Sequence, residues 1–332
     1  MNTEQRIRLI TKNTIEIVTK EELTKLLDHK KHPVVYDGFE PSGSGLHIGT
    51  FIGINKLIDF QKAGLKLKIL LADLHGWLNE KGSLSKIEKI AELYREGFAA
   101  LGVNIRKAKI IYGSDFQLGH EYVLDVLKLA TRVRLLRAKR AMSIIGREED
   151  DPKIAQVIYP LMQVMDIKAL KVDIAFGGIE QRKIHMLARE HLPYLGYKSP
   201  IALHHELMIG LTGGKMSSSV TASHIMIDEE PESIRNKVLN AFCPAKKTDN
   251  NPILQVCKYI IFQREKELKV EREKRFGGDV VFKSYNELEK EFLRNLHPLD
   301  LKNAVAESLI RILEPARKHL SKRRIRNIKE LL

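Results

Sequence analysis

The chain has 332 residues, 43% of them hydrophobic and 30% charged, with 56 basic against 42 acidic side chains and a net charge of +14. That length fits two domains, the apolar fraction excludes global disorder, and no apolar run reaches the roughly 18–20 residues of a membrane span. Cys243 and Cys257 form no CxxC pair, which excludes a disulfide framework and the common zinc spacings, and the polar start carries no secretory signal. A reducing cytoplasmic setting and a polyanionic partner, nucleic acid before membrane, are therefore expected, with no protein metal site.

In chain order, residues 1–31 read as helical and charged. Val34, Val35 and Tyr36 form a short strand that runs into the Gly/Ser/Pro-rich residues 37–45. Residues 47–63 read as a helix with Ile48, Phe51, Ile52, Leu57 and Ile58 on one side, stopped by Gly64. Residues 66–72 are β-rich, residues 83–101 helical, and residues 109–112 a strand. This alternation predicts the α/β class: an open, Rossmann-like sheet of parallel strands. A largely helical insertion follows at about 117–165. Residues 172–176 resume the sheet, Gly177 and Gly178 lead into a helix through Glu190, and residues 200–207 give a further strand. After Pro231 the pattern is helical, over 232–242, 252–262, 285–293 and 299–320. The expected domains are therefore 1–225 and a helical 226–332, and residues 318–329 are strongly basic.

Two loops carry chemistry. Between the first strand and first long helix, glycines allow a ligand to approach the backbone, and a helix N-terminus offers N–H groups to phosphate. Gly43, Gly45 and Gly49, with Asp73 after the next strand, also fit a loose dinucleotide fingerprint, so a nicotinamide-dependent oxidoreductase stays open here. His47 favours phosphate chemistry, since an imidazole there can donate to an oxygen that gains charge; its plainer reading is a cap on its own helix. Far along the chain, residues 213–219 combine two glycines, Lys215, Met216 and the hydroxyls of Ser217, Ser218 and Ser219. This is no Walker A loop, because Ile209 and Met216 break that pattern; its plainer reading is a solvated linker. On a helix, Tyr159, Gln163 and Asp166 share one face, as a polar pocket wall or as a solvated face. Arg132, Arg134, Arg137, Lys139 and Arg140 form a basic segment.

His47-Ile48-Gly49-Thr50 and Lys215-Met216-Ser217-Ser218-Ser219 resemble the paired His-Ile-Gly-His and Lys-Met-Ser-Lys-Ser signatures of class I aminoacyl-tRNA synthetases. Gly38-Phe39-Glu40-Pro41-Ser42-Gly43 narrows the resemblance to tyrosyl-tRNA synthetases of the archaeal and eukaryotic type, over almost the whole chain. Thr50 stands where the signature has its second histidine, and the loop is one residue longer at Ser44-Gly45. The resemblance implies activation of L-tyrosine with ATP and Mg²⁺, then transfer to tRNA(Tyr), by a homodimer without membrane association. It assigns catalysis to His47, Lys215, Ser217, Ser218 and Ser219. It assigns the tyrosine phenol to Tyr36 and Asp166, its ammonium and carboxylate to Glu40, Tyr159, Gln163 and Gln181, and a lining role to His75. ATP falls to Gly38, Gly45, His47, Gly49, Thr50, Gly178, Lys215 and Met216. The acceptor stem falls to Arg140 and Arg182, the anticodon to Phe276, His297 and Asp300. A tryptophan-specific relative and a non-catalytic RNA-binding paralogue are the nearer alternatives.

Overall fold

The computed structural model describes residues 1–142, 153–214, 216 and 220–331. The chain divides into two compact units, one made of residues 1–44 and 56–206, the other of residues 45–55 and 207–331. The division at 206/207 precedes the expected domain change at 225/226 because residues 207–225 belong with the second unit, as does the His47 segment.

The first unit opens with α1 (Thr3–Thr11) and α2 (Lys20–His29), each started by a capping box, Asn2 with Gln5 and Thr19 with Glu22. Between them lies β1 (Glu16–Val18), where residues 1–31 were expected to be helical throughout. The β-branched pair Ile17 and Val18 lies antiparallel to Leu203 and Ala202, a long-range pairing that overrides local pattern. The sheet continues with β2 (Val34–Phe39), β3 (Lys66–Leu71), β4 (Lys109–Tyr112), β5 (Ile174–Gly178) and β6 (Ile201–His205), in the order β1-β6-β5-β2-β3-β4. All neighbours except β1 and β6 run parallel, so the expected parallel sheet gains one antiparallel edge. The chain builds outward from β2 through β3 to β4, then returns to place β5 on the other flank of β2. The C-terminal ends of β2 and β5 thus form a topological switch point, where open α/β sheets bind ligands.

Helices cover the sheet. The unit boundary falls inside α3 (Phe51–Lys62). The short α4 (Asp73–Leu78) directly follows β3. In α5 (Leu84–Ala100) the buried Ile87, Ile90, Ala91, Tyr94 and Phe98 recur at helical spacing behind the Ser83 cap. The insertion holds α6 (His120–Ala130), α7 (Leu135–Met142) and α8 (Ile154–Ala169). Every residue of α8 from Tyr159 to Ile167 is buried, so this helix runs through the core and its polar side chains cannot be a solvated face. Then α9 (Arg182–His191) follows the turn after β5.

In the second unit, α10 (Pro231–Leu239) packs on the 23-residue α14 (Pro298–Leu320). Between them, α11 (Pro252–Val256) runs through a π-helical turn into α12 (Phe262–Arg264), and α13 (Tyr285–Arg294) precedes the long helix. A two-stranded hairpin, β7 (Leu268–Val270) with β8 (Val280–Phe282), interrupts the expected all-helical pattern. The chain closes with α15 (Arg323–Glu330). No described helix is long and apolar enough to cross a membrane.

Candidate active site

The polar cluster of the first unit grows from the core helix α8. Asp166 is fully buried, and its Oδ1 accepts from Gln117 Nε2 at 2.7 Å and Tyr122 Oη at 2.8 Å. Its Oδ2 is buried without a hydrogen-bond partner among the described residues, with His75 Nε2 3.6 Å away and equally unpaired. Burial pushes the Asp166 carboxyl up to about 7 and the His75 imidazole down to about 4. Burial, with the nearby Asp166 carboxylate, drives the Tyr36 phenol well above its usual range. Tyr36 comes from the middle of β2, and Gly38 gives its hydroxyl room: a Cβ at Gly38 would lie 2.8 Å from Tyr36 Oη. A donor reaching Asp166 Oδ2 would satisfy a group that is costly to leave unpaired in the core.

One turn up α8, Gln163 Nε2 donates to Gln181 Oε1 at 2.9 Å, which ties α8 to the turn after β5. Gln163 Oε1 is buried and without a hydrogen bond among the described residues. Tyr159 Oη donates to Glu40 Oε2 at 3.1 Å, and the Tyr159 ring meets His75 edge-on at 4.6 Å between centroids. Glu40 also accepts from Asn79, with Lys81 Nζ 3.7 Å away; burial outweighs these partners and raises its carboxyl. Gly178 leaves space for the Glu180 carboxylate, which a Cβ there would overlap. The structure thus gathers Tyr36, His75 and Asp166 in one cluster, links Glu40 with Tyr159, and links Gln163 with Gln181.

Gln117 and Tyr122 had no sequence signal. They enter only because Asp166, more than 40 residues later, is buried against them. Asp73, the acid of the dinucleotide reading, is 1% exposed and accepts from Leu74 N, Ser114 N and Ser114 Oγ. It secures the turn after β4 with its oxygens already engaged, a structural role that weakens the dinucleotide reading. Asp173 is likewise a satisfied structural acid, bound by Lys30, Lys198 and the Val34 N–H.

In the second unit the His47 segment meets Met216 of the second loop. The His47 segment pairs with residues after the Lys215 loop: Ile48 N donates to Ile225 O at 2.9 Å and Ile227 N to Leu46 O at 3.1 Å. Met216 lies directly over Gly49, where a Cβ would sit 2.5 Å from the Met216 sulfur. Gly45 has φ +137°, a conformation that favours glycine at this turn. Lys215, Ser217, Ser218 and Ser219 lie outside the described residues. His47 caps a short 3₁₀ turn that precedes α3 rather than a continuous α-helix: its Nδ1 accepts from Gly49 N at 3.1 Å. Burial and the neighbouring His224 ring, 5.2 Å away, push the His47 imidazole down to about 4. The ring is therefore neutral at pH 7, and with Nδ1 accepting, its proton sits on Nε2. Thr50 Oγ1 donates to His47 O at 2.7 Å.

The expected RNA contacts divide. Arg182 is held by Glu16, both carboxylate oxygens at 2.8 Å, while Arg137 pairs with Glu190 and Arg132 stacks on Tyr194. Arg140 is in α7. Phe276 is 59% exposed with Arg275 over its ring, so it is no core residue. His297 caps α14 through Leu299 N, and Asp300 lies in the first turn of that helix. Among the described residues no group of three His, Cys, Asp or Glu is placed to hold a metal.

Residues 28–314 match the family of tRNA synthetases class I (W and Y). A tyrosine–tRNA ligase of Methanococcoides burtonii is 51% identical, covering 94% of this chain and 98% of that protein. One from Methanopyrus kandleri is 48% identical, covering 97% and 99%. The crystal structure of a tyrosyl-tRNA synthetase from Archaeoglobus fulgidus, complexed with L-tyrosine, superposes with a TM-score of 0.93 at 48% identity over 96% of this chain and all of that one.

Proposed function

The chain belongs to the class I tRNA synthetases for tryptophan and tyrosine and acts as a tyrosine–tRNA ligase, and from that premise we propose how its residues divide the work. Asp166 and Tyr36 read the substrate phenol, and His75 lines the same pocket. The carrying observation is Asp166 Oδ2, a buried carboxylate oxygen that a phenolic O–H would satisfy and phenylalanine would leave unpaired. Glu40, Tyr159, Gln163 and Gln181 take the ammonium and carboxylate.

ATP meets the two signatures. A tyrosine carboxylate oxygen attacks the α-phosphorus, a new P–O bond forms, and the bond to pyrophosphate breaks with the electron pair leaving on it. A terminal ribose hydroxyl of tRNA(Tyr) then attacks the activated carbonyl, AMP departs, and the tyrosyl ester remains. Neither step needs a side-chain nucleophile, so positioning and charge stabilisation carry the rate. His47 donates Nε2–H to a phosphate oxygen as it gains charge, and its neutral ring suits that task across physiological pH. Lys215 adds a compact cation, Ser217, Ser218 and Ser219 add hydroxyls, and Gly38, Gly45, Gly49, Thr50, Gly178 and Met216 shape the nucleotide's surroundings. Mg²⁺ would accompany ATP and would supply charge neutralisation at its phosphates.

Arg140 and Arg182 contact the acceptor stem, with Arg182 exchanging Glu16 for RNA, and Phe276, His297 and Asp300 meet the anticodon, Phe276 by stacking. The partner of the exposed Leu124, Leu127, Leu135 and Leu136 on α6 and α7 is a second copy of the chain. The reaction belongs to the cytoplasm, where translation takes place. Exchange of labelled pyrophosphate into ATP, scanned over twenty amino acids, tests the reading. Tyrosine alone should support exchange; tryptophan-dependent exchange, or none, would overturn it. Sedimentation of wild type against Leu127→Glu should resolve a dimer from a monomer.

A further inference from the structure

The basic C-terminal segment is not used by any of the roles above. Residues 318–329 hold Lys318, Lys322, Arg323, Arg324, Arg326 and Lys329 and no Asp or Glu, a large part of the chain's +14. They lie beyond the 28–314 match to the family. The segment is ordered as the end of α14 and the helix α15.

Its charge works against its own helix. A helix N-terminus carries partial positive charge and favours acids and a Ser, Thr, Asp or Asn cap. In α15 the capping position is Lys322 with no side-chain cap bond, Arg323 and Arg324 follow in the first turn, and no acid stands there. This arrangement costs helix stability, and two contacts elsewhere offset the cost. Ile325 is 4% exposed, and Lys329 pairs with Asp228. The apolar side of α15 is thus occupied by the protein itself and unavailable for insertion into lipid. Lys322, Arg323 and Arg326 stay exposed without an acidic partner among the described residues; Lys322 meets only His319. A local rule broken in a well-anchored element marks a surface kept for something outside the chain.

We propose that α15 is an RNA-backbone clamp, in which Lys322, Arg323 and Arg326 neutralise phosphates of the bound tRNA. This rests on the tyrosine–tRNA ligase reading for the identity of the polyanion. The clamp reads no sequence, so it adds affinity and salt dependence rather than choice of tRNA.

The test uses the full chain with Lys322→Gln, Arg323→Gln and Arg326→Gln combined, and a second variant, Arg323→Lys with Arg326→Lys, that keeps the charge. Equilibrium tRNA binding is measured over a salt series, beside tyrosine-dependent pyrophosphate exchange and binding to vesicles of anionic phospholipid. For the triple variant we expect tRNA affinity to fall about tenfold at low salt, and the slope of log K against log salt to shrink by about two. The lysine variant should keep most of both, and pyrophosphate exchange should not change in either. An unchanged slope in the triple variant would overturn the proposal. So would a loss of vesicle binding with tRNA affinity intact, which would assign the surface to lipid. Absence of tyrosine-dependent exchange in the wild type would instead count against the enzymatic reading, whatever the salt slope.

Discussion

The buried polar cluster around Asp166 in the first unit, proposed to take tyrosine, and the His47 segment of the second, proposed to take phosphate, are built on opposite principles. The first is a rigid wall: Asp166, Gln163 and Tyr159 stand on a helix buried over nine consecutive residues, and Gln117 and Tyr122 hold the carboxylate from the neighbouring segment. The second is made of loop and turn, with His47 capping a 3₁₀ turn, Gly49 under Met216, and backbone pairing to residues 225–227. A group that must tell a hydroxyl from a hydrogen gains from burial and fixed geometry, because an unmet polar atom in the core is expensive. A group that follows charge as it shifts between phosphates gains from glycine, hydroxyls and a neutral donor. On the proposed division of roles, specificity and chemistry are separable, and each can be broken alone.

The sharpest break is His47→Ala. It should lower the rate of tyrosyl-adenylate formation by about 10²–10³-fold, as for other single transition-state donors, and leave tyrosine KM nearly unchanged. Loss of its cap on the Gly49 N–H should cost only about 1 kcal/mol of stability, read by denaturant unfolding. Next is Asp166→Asn. Weakening the phenol contact should reduce the preference for tyrosine over phenylalanine by about ten- to a hundredfold in kcat/KM, with adenylate chemistry on phenylalanine unaffected.

A pH series sharpens the same contrast. The folded Asp166 carboxyl titrates at about 7, well above its unfolded value near 4, so between those limits the native chain holds a proton the unfolded chain has released. Its contribution to stability is full below about pH 4 and is lost as pH rises through about 7. Thermal unfolding of Asp166→Asn should show a flatter profile than wild type across that window. His47 should give no step near neutrality, because its imidazole is already neutral well above pH 4. The smallest effect is expected from Arg182→Gln. Its ion pair with Glu16 is partly exposed, so stability should change by less than about 1 kcal/mol. The KM for tRNA should rise several-fold with pyrophosphate exchange untouched.

Much of the fold was legible because its elements follow local rules. The strands at 66–71, 109–112 and 201–205, and the helices at 84–100 and 298–320, fall where apolar spacing and turn residues place them, while the strands expected at 34–36 and 172–176 run on through their glycines to Phe39 and Gly178. What escaped was decided at long range. β1 is three residues long and exists only by pairing with β6, and the β7–β8 hairpin is as short. Residues 207–225 looked continuous with the first unit because chain order hides that the His47 segment belongs with them. Among the proposed site residues, His47 stood out by motif, Asp166 by its helix face and Tyr36 only through the resemblance. Gln117 and Tyr122 did not, because their importance lies in a hydrogen bond to one buried oxygen and in no pattern of their own.

The separation of reading from chemistry is tested most directly by single-turnover adenylate formation with tyrosine and with phenylalanine, in wild type, His47→Ala and Asp166→Asn. His47→Ala should slow both amino acids by the same factor and leave their ratio unchanged, while Asp166→Asn should collapse the ratio. A ratio that moves in His47→Ala, or stays fixed in Asp166→Asn, would contradict the account.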